Sequence, residues 1–344
     1  MIPQSHLEGA TLSPRGPVSQ AVLERLTGHT DTLGTTVPER PRDPADDMLH
    51  DDDLQAALFF LYASFTGSVP GLDPRLEWDP ELIGFRDTLE RAFEQRLREV
   101  VTQPDHPAPT QADVATALFA LTADDDGPST ARFLAKRATL EQAEEFLIQK
   151  SIYTLREADP HSWAIPRLTG RAKAALVEIQ SDEYGGGRPD RVHAEIYART
   201  MQGAGLSREY GAYFDDVPAV TLASLNMMSM FGLNRRLLGA IVGHLAAFEM
   251  TSSIPNRLTA EGFRRLGFGA EVTDYFDEHV EADAVHEQIA ARDLAGSLAE
   301  DHPELLPDIM FGAAACLAID GAVATHMLDA WSAGESSLRT GARS

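Results

Sequence analysis

His279, Asp283 and His286 sit at spacings that bring two imidazoles and a carboxylate together. At about 100° per helical residue, Asp283 falls about 40° from His279, and His286 about 20° to its other side. Val272, Tyr275 and Phe276 share that face, so it points inward. Two ring nitrogens and a carboxylate on an inward face are what a transition metal needs. A buried polar network would use the same residues.

Four more residues belong with them. Glu249 extends an apolar stripe of Leu238, Ile241, Val242 and Leu245. A carboxylate there is costly to ionise unless it is paired in the core or bound to metal. His244, five residues earlier, projects away from Glu249 and reads as structural. His193 opens a stripe continued by Ile196, Tyr197, Thr200 and Met201. Glu183 precedes it by ten residues, and on one straight helix the two would be about 80° apart. Gly185, Gly186, Gly187 and Pro189 lie between them and can break the helix so that the pair converges; otherwise Glu183 is a carboxylate at a helix end. Glu157 shares a face with Phe146 and Tyr153, though Lys150 on that face offers it an ordinary ion pair.

The charges of this set balance. Glu157, Glu183, Glu249 and Asp283 bring four negative charges, and His193, His279 and His286 three neutral nitrogens. Two ferrous ions neutralise them, whereas omitting Glu157 leaves a net positive charge in a dry core. Helical bundles that project carboxylates and imidazoles inward are a usual housing for paired iron or manganese. The paired Glu-x-x-His motifs of ferritin-like bundles are absent; only Asp283-x-x-His286 approximates one.

The elements that must position these residues read as helices throughout. Residues 1–46, rich in Pro, Thr, Arg, Asp and Gly, read as an irregular arm with one short helix around Ala21–Leu26. From Asp51 the apolar spacing turns to three and four, and Leu82–Val101 continues it. The same period covers 112–122, 139–158, 167–182, 190–203, 217–231, 234–253, 271–298 and 308–331. Thr139 and Gln142 form a capping box. Breaks fall at 124–128, 185–190 and 302–304. No alternating period-two run appears, so the fold class is all-α. The organisation expected is an arm over 1–46, a helical region over 47–128 packing on the core, and the metal-bearing domain over 129–335.

Composition narrows the partners. The formal charge of −24, from 29 Lys+Arg against 53 Asp+Glu, argues against nucleic acid and anionic membrane surfaces. Cys316 is the one cysteine, which excludes disulfides and thiolate metal sites within the chain and reads as a buried small hydrophobe. No leader is visible and the apolar runs look too interrupted to span a bilayer, so the expected location is cytoplasmic. Met227, Met228 and Met230 read as core filler, Trp163 and Trp331 as packing residues, and His161 as a loop or cap residue or else a residue lining the pocket.

With these residues in place, 138–331 resembles the haem-oxygenase-like diiron oxidases, a family of iron-containing redox enzymes. The resemblance rests on Ala-Thr-Leu-Glu-Gln-Ala-Glu-Glu-Phe-Leu (138–147), Glu-Ala-Asp-Pro-His-Ser-Trp-Ala-Ile-Pro (157–166), Asp-Glu-Tyr-Gly-Gly-Gly (182–187) and the His279/Asp283/His286 triplet. It is weak before about residue 110. It implies a haem-oxygenase-like helical bundle with additional N-terminal helices, and metal ligands at Glu183, His193, Glu249, His279, Asp283 and His286. Glu157 is similar in placement to an extra carboxylate ligand of the N-oxygenating members, which oxidise nitrogen in guanidine-like, aminoimidazole or arylamine metabolites. Other members desaturate or cleave fatty acids and amino acids. The resemblance further implies two iron ions cycling between Fe(II) and Fe(III), O2 as co-substrate, an external reductant with an electron-donor protein, a small-molecule substrate and a homodimer. A metal-binding helical protein without catalysis is the reading from another class.

Overall fold

The computed structural model describes residues 12–34, 47–123 and 127–339, with backbone alone for 281–284. Residues 1–11 and 35–46 of the expected arm, and 124–126 of the expected break, lie outside the described residues.

Side-chain caps start many of the helices. Asp51 accepts from the backbone N–H groups of Asp53 and Leu54, both at 3.0 Å, ahead of a helix rich in Ala, Leu and Phe. Asp79 does the same at 3.0 and 3.1 Å for a helix with Pro80 in its first turn. Thr139 and Gln142 cap each other's backbone at 3.3 and 3.0 Å, as their spacing predicts. In chain order the helices are α1 (Pro17–Leu26), α2 (Asp52–Thr66), α3 (Pro80–Val100), α4 (Gln111–Ala123), α5 (Thr130–Lys136), α6 (Leu140–Thr154), α7 (Asp159–Ser162), α8 (Gly170–Glu183), α9 (His193–Gly203), α10 (Ala219–Leu233), α11 (Leu238–Met250), α12 (Ser253–Arg265), α13 (Ala270–Gln288), α14 (Ser297–Asp301) and α15 (Leu306–Ala333). No strand occurs among the described residues.

Several boundaries differ from the sequence expectation. The arm's helix starts at Pro17 rather than Ala21, because proline suits a first turn. The stretch 271–298 is not one uniform helix: a π-helical segment, Ile289–Gly296, separates α13 from α14. Periodicity also passed over α5 and α12, which pack on each other. Pro255 lies in the first turn of α12, where its missing N–H is harmless.

The centre of the bundle is the contact between α11 and α15, flanked by α10, α13 and the π segment. These two backbones touch through glycine. A Cβ on Gly243 would come within 1.8 Å of the Ile309 carbonyl oxygen, and one on Gly312 within 2.0 Å of that of Ala240. Ala313, Ala314 and Ala315, which follow Gly312, are buried as well. One apolar cluster extends from Val18 to Ile319 and joins α1–α4 to the central pair. A smaller one gathers α5, α9, α12, α13 and the end of α15 around Tyr197, Phe263, Phe276 and Trp331. Met227, Met228, Met230 and Cys316 are all buried.

One sequence expectation is corrected. Pro303–Ala333 is long and apolar enough by composition to cross a membrane, so the apolar runs are not all too interrupted. Its charged residues, Glu304, Asp308, Asp320 and Asp329, are spaced widely enough to leave such a window. In this fold α15 is the core helix, and burial against α11 and α10 accounts for its apolar faces.

The glycine contact yields a paired prediction. Gly243→Ala forces α11 and α15 apart and should cost roughly 3 kcal/mol, the upper range for overpacking a core. Gly321→Ala lies on the same α15 with open space at its Cβ position, so it should gain up to about 1 kcal/mol of helix propensity. Urea unfolding midpoints measure both; equal effects at the two sites would refute the close-packing account.

Candidate metal centre

The cluster is assembled from helix ends and one helix face. Glu157 follows the end of α6, and the next residue, Ala158, has a φ of 72°. It is the one non-glycine residue with positive φ among the described residues, and it turns the chain directly into α7. Glu183 closes α8. Gly185 then takes a φ of 75°, and a Cβ there would lie 2.7 Å from the Arg191 backbone. This tight reversal lets His193, the first residue of α9, face back to Glu183. Glu249 comes from the last turn of α11, and α13 supplies His279 and His286.

Glu157, Glu183, His193, Glu249, His279 and His286 each expose 7% or less of their surface. Their donor atoms form two groups. One ligand atom each from Glu157, Glu183, His193 and His279 lie mutually within 4.8 Å, as do those of Glu183, Glu249 and His286. Glu183 belongs to both. Its Oε2 is 2.9 Å from His193 Nδ1, and its Oε1 is 3.7 Å from His286 Nδ1. His286 Nδ1 is also 3.4 Å from Glu249 Oε2, and His279 Nε2 is 3.6 Å from Glu157 Oε1. The Asp283 side chain lies outside the described residues.

Outer contacts fix which ring nitrogen faces inward. His279 Nδ1 donates to the Tyr275 carbonyl at 2.7 Å, leaving Nε2 toward Glu157. Asp182 holds His286 Nε2 at 3.2 Å, which leaves Nδ1 toward Glu183 and Glu249. Nδ1 of His193 and Nδ1 of His286 are buried without a properly directed hydrogen bond among the described residues. The His193–Glu183 approach is short but lacks the alignment of a hydrogen bond. Tyr275 donates its hydroxyl to both oxygens of Glu157, at 2.7 and 2.9 Å.

Burial opposes charge throughout the cluster. It pushes Glu183 upward, but the His193 contact and the fields of His193, His279 and His286 outweigh it and hold this carboxylate below its ordinary range. Glu249 moves the other way, raised by burial and by Glu183 despite its contact with His286. Burial works against charging His286, yet Glu249, Glu183 and Asp182 bring its pKa up to about 9. Three carboxylates thus converge on three imidazoles, with no lysine or arginine ion pair among the described residues. Hard oxygen and borderline nitrogen donors, buried, with lone pairs aimed at common points, fit a divalent transition metal such as iron.

Two cavities meet at this cluster. A cleft enclosing about 130 Å³ is lined by Glu157, His279, Tyr153, Tyr275, Phe248 and Lys150 among others. On the inner side a small space, with room for little more than a water, is bordered by Glu157, Glu183, Glu249, His161 and Gln180.

Sequence reading singled out all six described members of the cluster, and the structure brings them together. The ion pair offered for Glu157 is absent: Tyr275 and His279 engage it, and no ion pair reaches Lys150 among the described residues. Lys150 sits seven residues back, on α6, while Glu157 lies beyond the helix end. His161 is no loop residue but a buried member of α7 whose Nε2 lies 3.1 Å from His244 Nδ1. Tyr275 and Asp182 went unrecognised as partners of the cluster. Tyr275 precedes His279 by four residues, so that spacing was the available signal.

Comparison with known proteins gives the same direction. Nitrosourea synthase of Streptomyces achromogenes subsp. streptozoticus is 29% identical over 172 residues, 49% of this chain and 36% of that protein. The chain therefore matches only about a third of the relative's length. Residues 144–321, which hold every member of the cluster, match the family described as iron-containing redox enzyme. The chain belongs to this family of iron-containing redox enzymes, an oxidoreductase on a haem-oxygenase-like all-α fold.

Proposed function

We propose that this chain is a non-haem diiron, O2-dependent N-oxygenase acting on a small amine, guanidine or aminoimidazole metabolite. The observation that carries this reading is the pair of buried donor groups sharing Glu183. Glu157, Glu183, His193 and His279 would hold one iron, and Glu183, Glu249 and His286 the other, with Asp283 of α13 as a further ligand. Bound iron would supply the activation of O2, drawing electrons from an external reductant.

The protein's own part is position, dryness and proton placement. Tyr275 keeps a proton on its hydroxyl, because burial and the adjacent Glu157 raise its pKa well above the ordinary value. That proton holds Glu157 in one orientation through two bonds. His279 keeps its proton on Nδ1, fixed by the Tyr275 carbonyl. Tyr153, Phe248, Tyr275 and Phe276 wall the cleft and exclude water around a substrate nitrogen presented to the cluster. The similarity to a nitrosourea synthase supports a nitrogen substrate, since a nitrosourea contains oxidised nitrogen.

Four outcomes test the proposal. Anaerobic Fe(II) titration should give two irons per chain, and O2 should then produce a transient visible absorbance in stopped flow. A chain that takes up no iron sinks the reading. Glu183→Gln should abolish metal uptake at both positions, whereas Glu249→Gln should spare the group built on Glu157; Mn(II) titration followed by electron paramagnetic resonance distinguishes them. Tyr275→Phe keeps the ring and loses both bonds to Glu157, and should weaken metal binding roughly tenfold, the lower range for an outer partner of a ligand. If Glu157→Ala leaves turnover intact, desaturation or C–C cleavage replaces N-oxygenation.

A further inference from the structure

Among the described residues the cleft is lined by one cationic side chain, Lys150, and nothing in the cluster uses it. The chain has three lysines, Lys136, Lys150 and Lys173, against 53 acidic residues. Lys150 is half-buried on α6 and lines both the cleft and the adjoining space that runs toward α10 and α15. In so acidic a protein most arginines found carboxylates, yet no ion pair reaches Lys150 among the described residues. Holding an ammonium half out of water with no ion pair costs free energy. A ligand that brings an anion into the cleft would remove that cost.

The placement fixes where the anion must sit. Lys150 on α6 and Glu157, just beyond the end of that helix, line the same cleft. Tyr153 and Thr154 line the wall between them, and Phe248 faces them from α11. A slender ligand can therefore reach from the ammonium to Glu157 and His279 along one apolar wall. Asp320 of α15 lines the same two spaces, with Ser224 Oγ at 3.4 Å from its carboxylate. A lone lysine beside an aspartate suits a singly charged carboxylate and repels a phosphate dianion.

We infer that Lys150 is the specificity-determining residue of the cleft: its ammonium receives a carboxylate carried by the amine substrate, with the reacting nitrogen directed to Glu157 and His279. This rests on the oxygenase reading for what happens at the nitrogen, but the recognition step needs no metal. Neutral arylamines and simple alkylamines would then be poor ligands, and ω-amino acids of matching length good ones.

The test is isothermal titration calorimetry on the full chain without added metal, using ω-amino acids of graded length and alkylamines of equal length. The wild type should bind the best ω-amino acid at least tenfold more tightly than its alkylamine counterpart. Lys150→Met should erase that preference, and Lys150→Arg should keep part of it. Thermal unfolding and Mn(II) uptake confirm that each variant is folded with its cluster intact. Equal binding of the two series, binding of neither, or a preference that survives Lys150→Met overturns the inference. Loss of iron uptake in the wild type would sink the oxygenase reading alone, since the carboxylate preference is measured without metal.

Discussion

Three glutamates end in one dry cluster, and everything else in the fold must hold them there. Burying an anion costs several kcal/mol after relaxation unless a cation offsets it. No lysine or arginine reaches Glu157, Glu183 or Glu249 among the described residues; imidazoles and a tyrosine hydroxyl do. That arrangement is poor as a salt-bridge network and good as a metal cradle, because imidazoles contribute lone pairs and add no charge of their own when neutral. In the metal-free protein a proton stands in: His286 is held charged to about pH 9 between Glu249, Glu183 and Asp182. Metal must displace that proton, so binding and deprotonation are coupled.

Such a cluster needs a scaffold that does not relax. Glu249 is fixed because α11 is locked to α15 by backbone contact at Gly243 and Gly312, where neither helix can slide or roll freely. Glu183 and His193 are fixed by the glycine reversal between α8 and α9, which has no room for a side chain at Gly185. His279 and His286 are fixed by α13, whose continuation as a π segment packs against α4, α8 and α11. Single-turn π geometry recurs at functional sites because it shifts one stretch of a helix face relative to the next. Here it follows directly after the last histidine.

Most of the cluster was legible in the sequence because helical periodicity says which residues face inward. That logic found His279 and His286 on one face and Glu249 at the end of an apolar stripe. It could not say what fills the space opposite each residue, and there it failed. Lys150 shares a helical face with Glu157, yet α6 ends at Thr154 and the turn at Ala158 carries Glu157 toward Tyr275 instead. Tyr275 looked like one more packing aromatic, since its hydroxyl partner comes from an element 118 residues away. The π segment left no trace in apolar spacing, and α12 hid behind a serine- and proline-rich first turn.

His161 and His244 show why proximity to the cluster does not make a ligand. Both are buried, and His161 borders the inner cavity beside Glu183 and Glu249. Their rings meet at 3.1 Å, Nε2 of His161 against Nδ1 of His244, so one must donate and the other accept. Only one proton fits between them, which favours two neutral rings. Burial pulls the same way, lowering His161 to about 4 and His244 well below its ordinary value. A neutral, mutually satisfied pair neither repels a cation nor offers it the nitrogens already shared. It closes the inner side of the cluster with polar groups that need no further partner, while the opposite side opens on the cleft and Lys150.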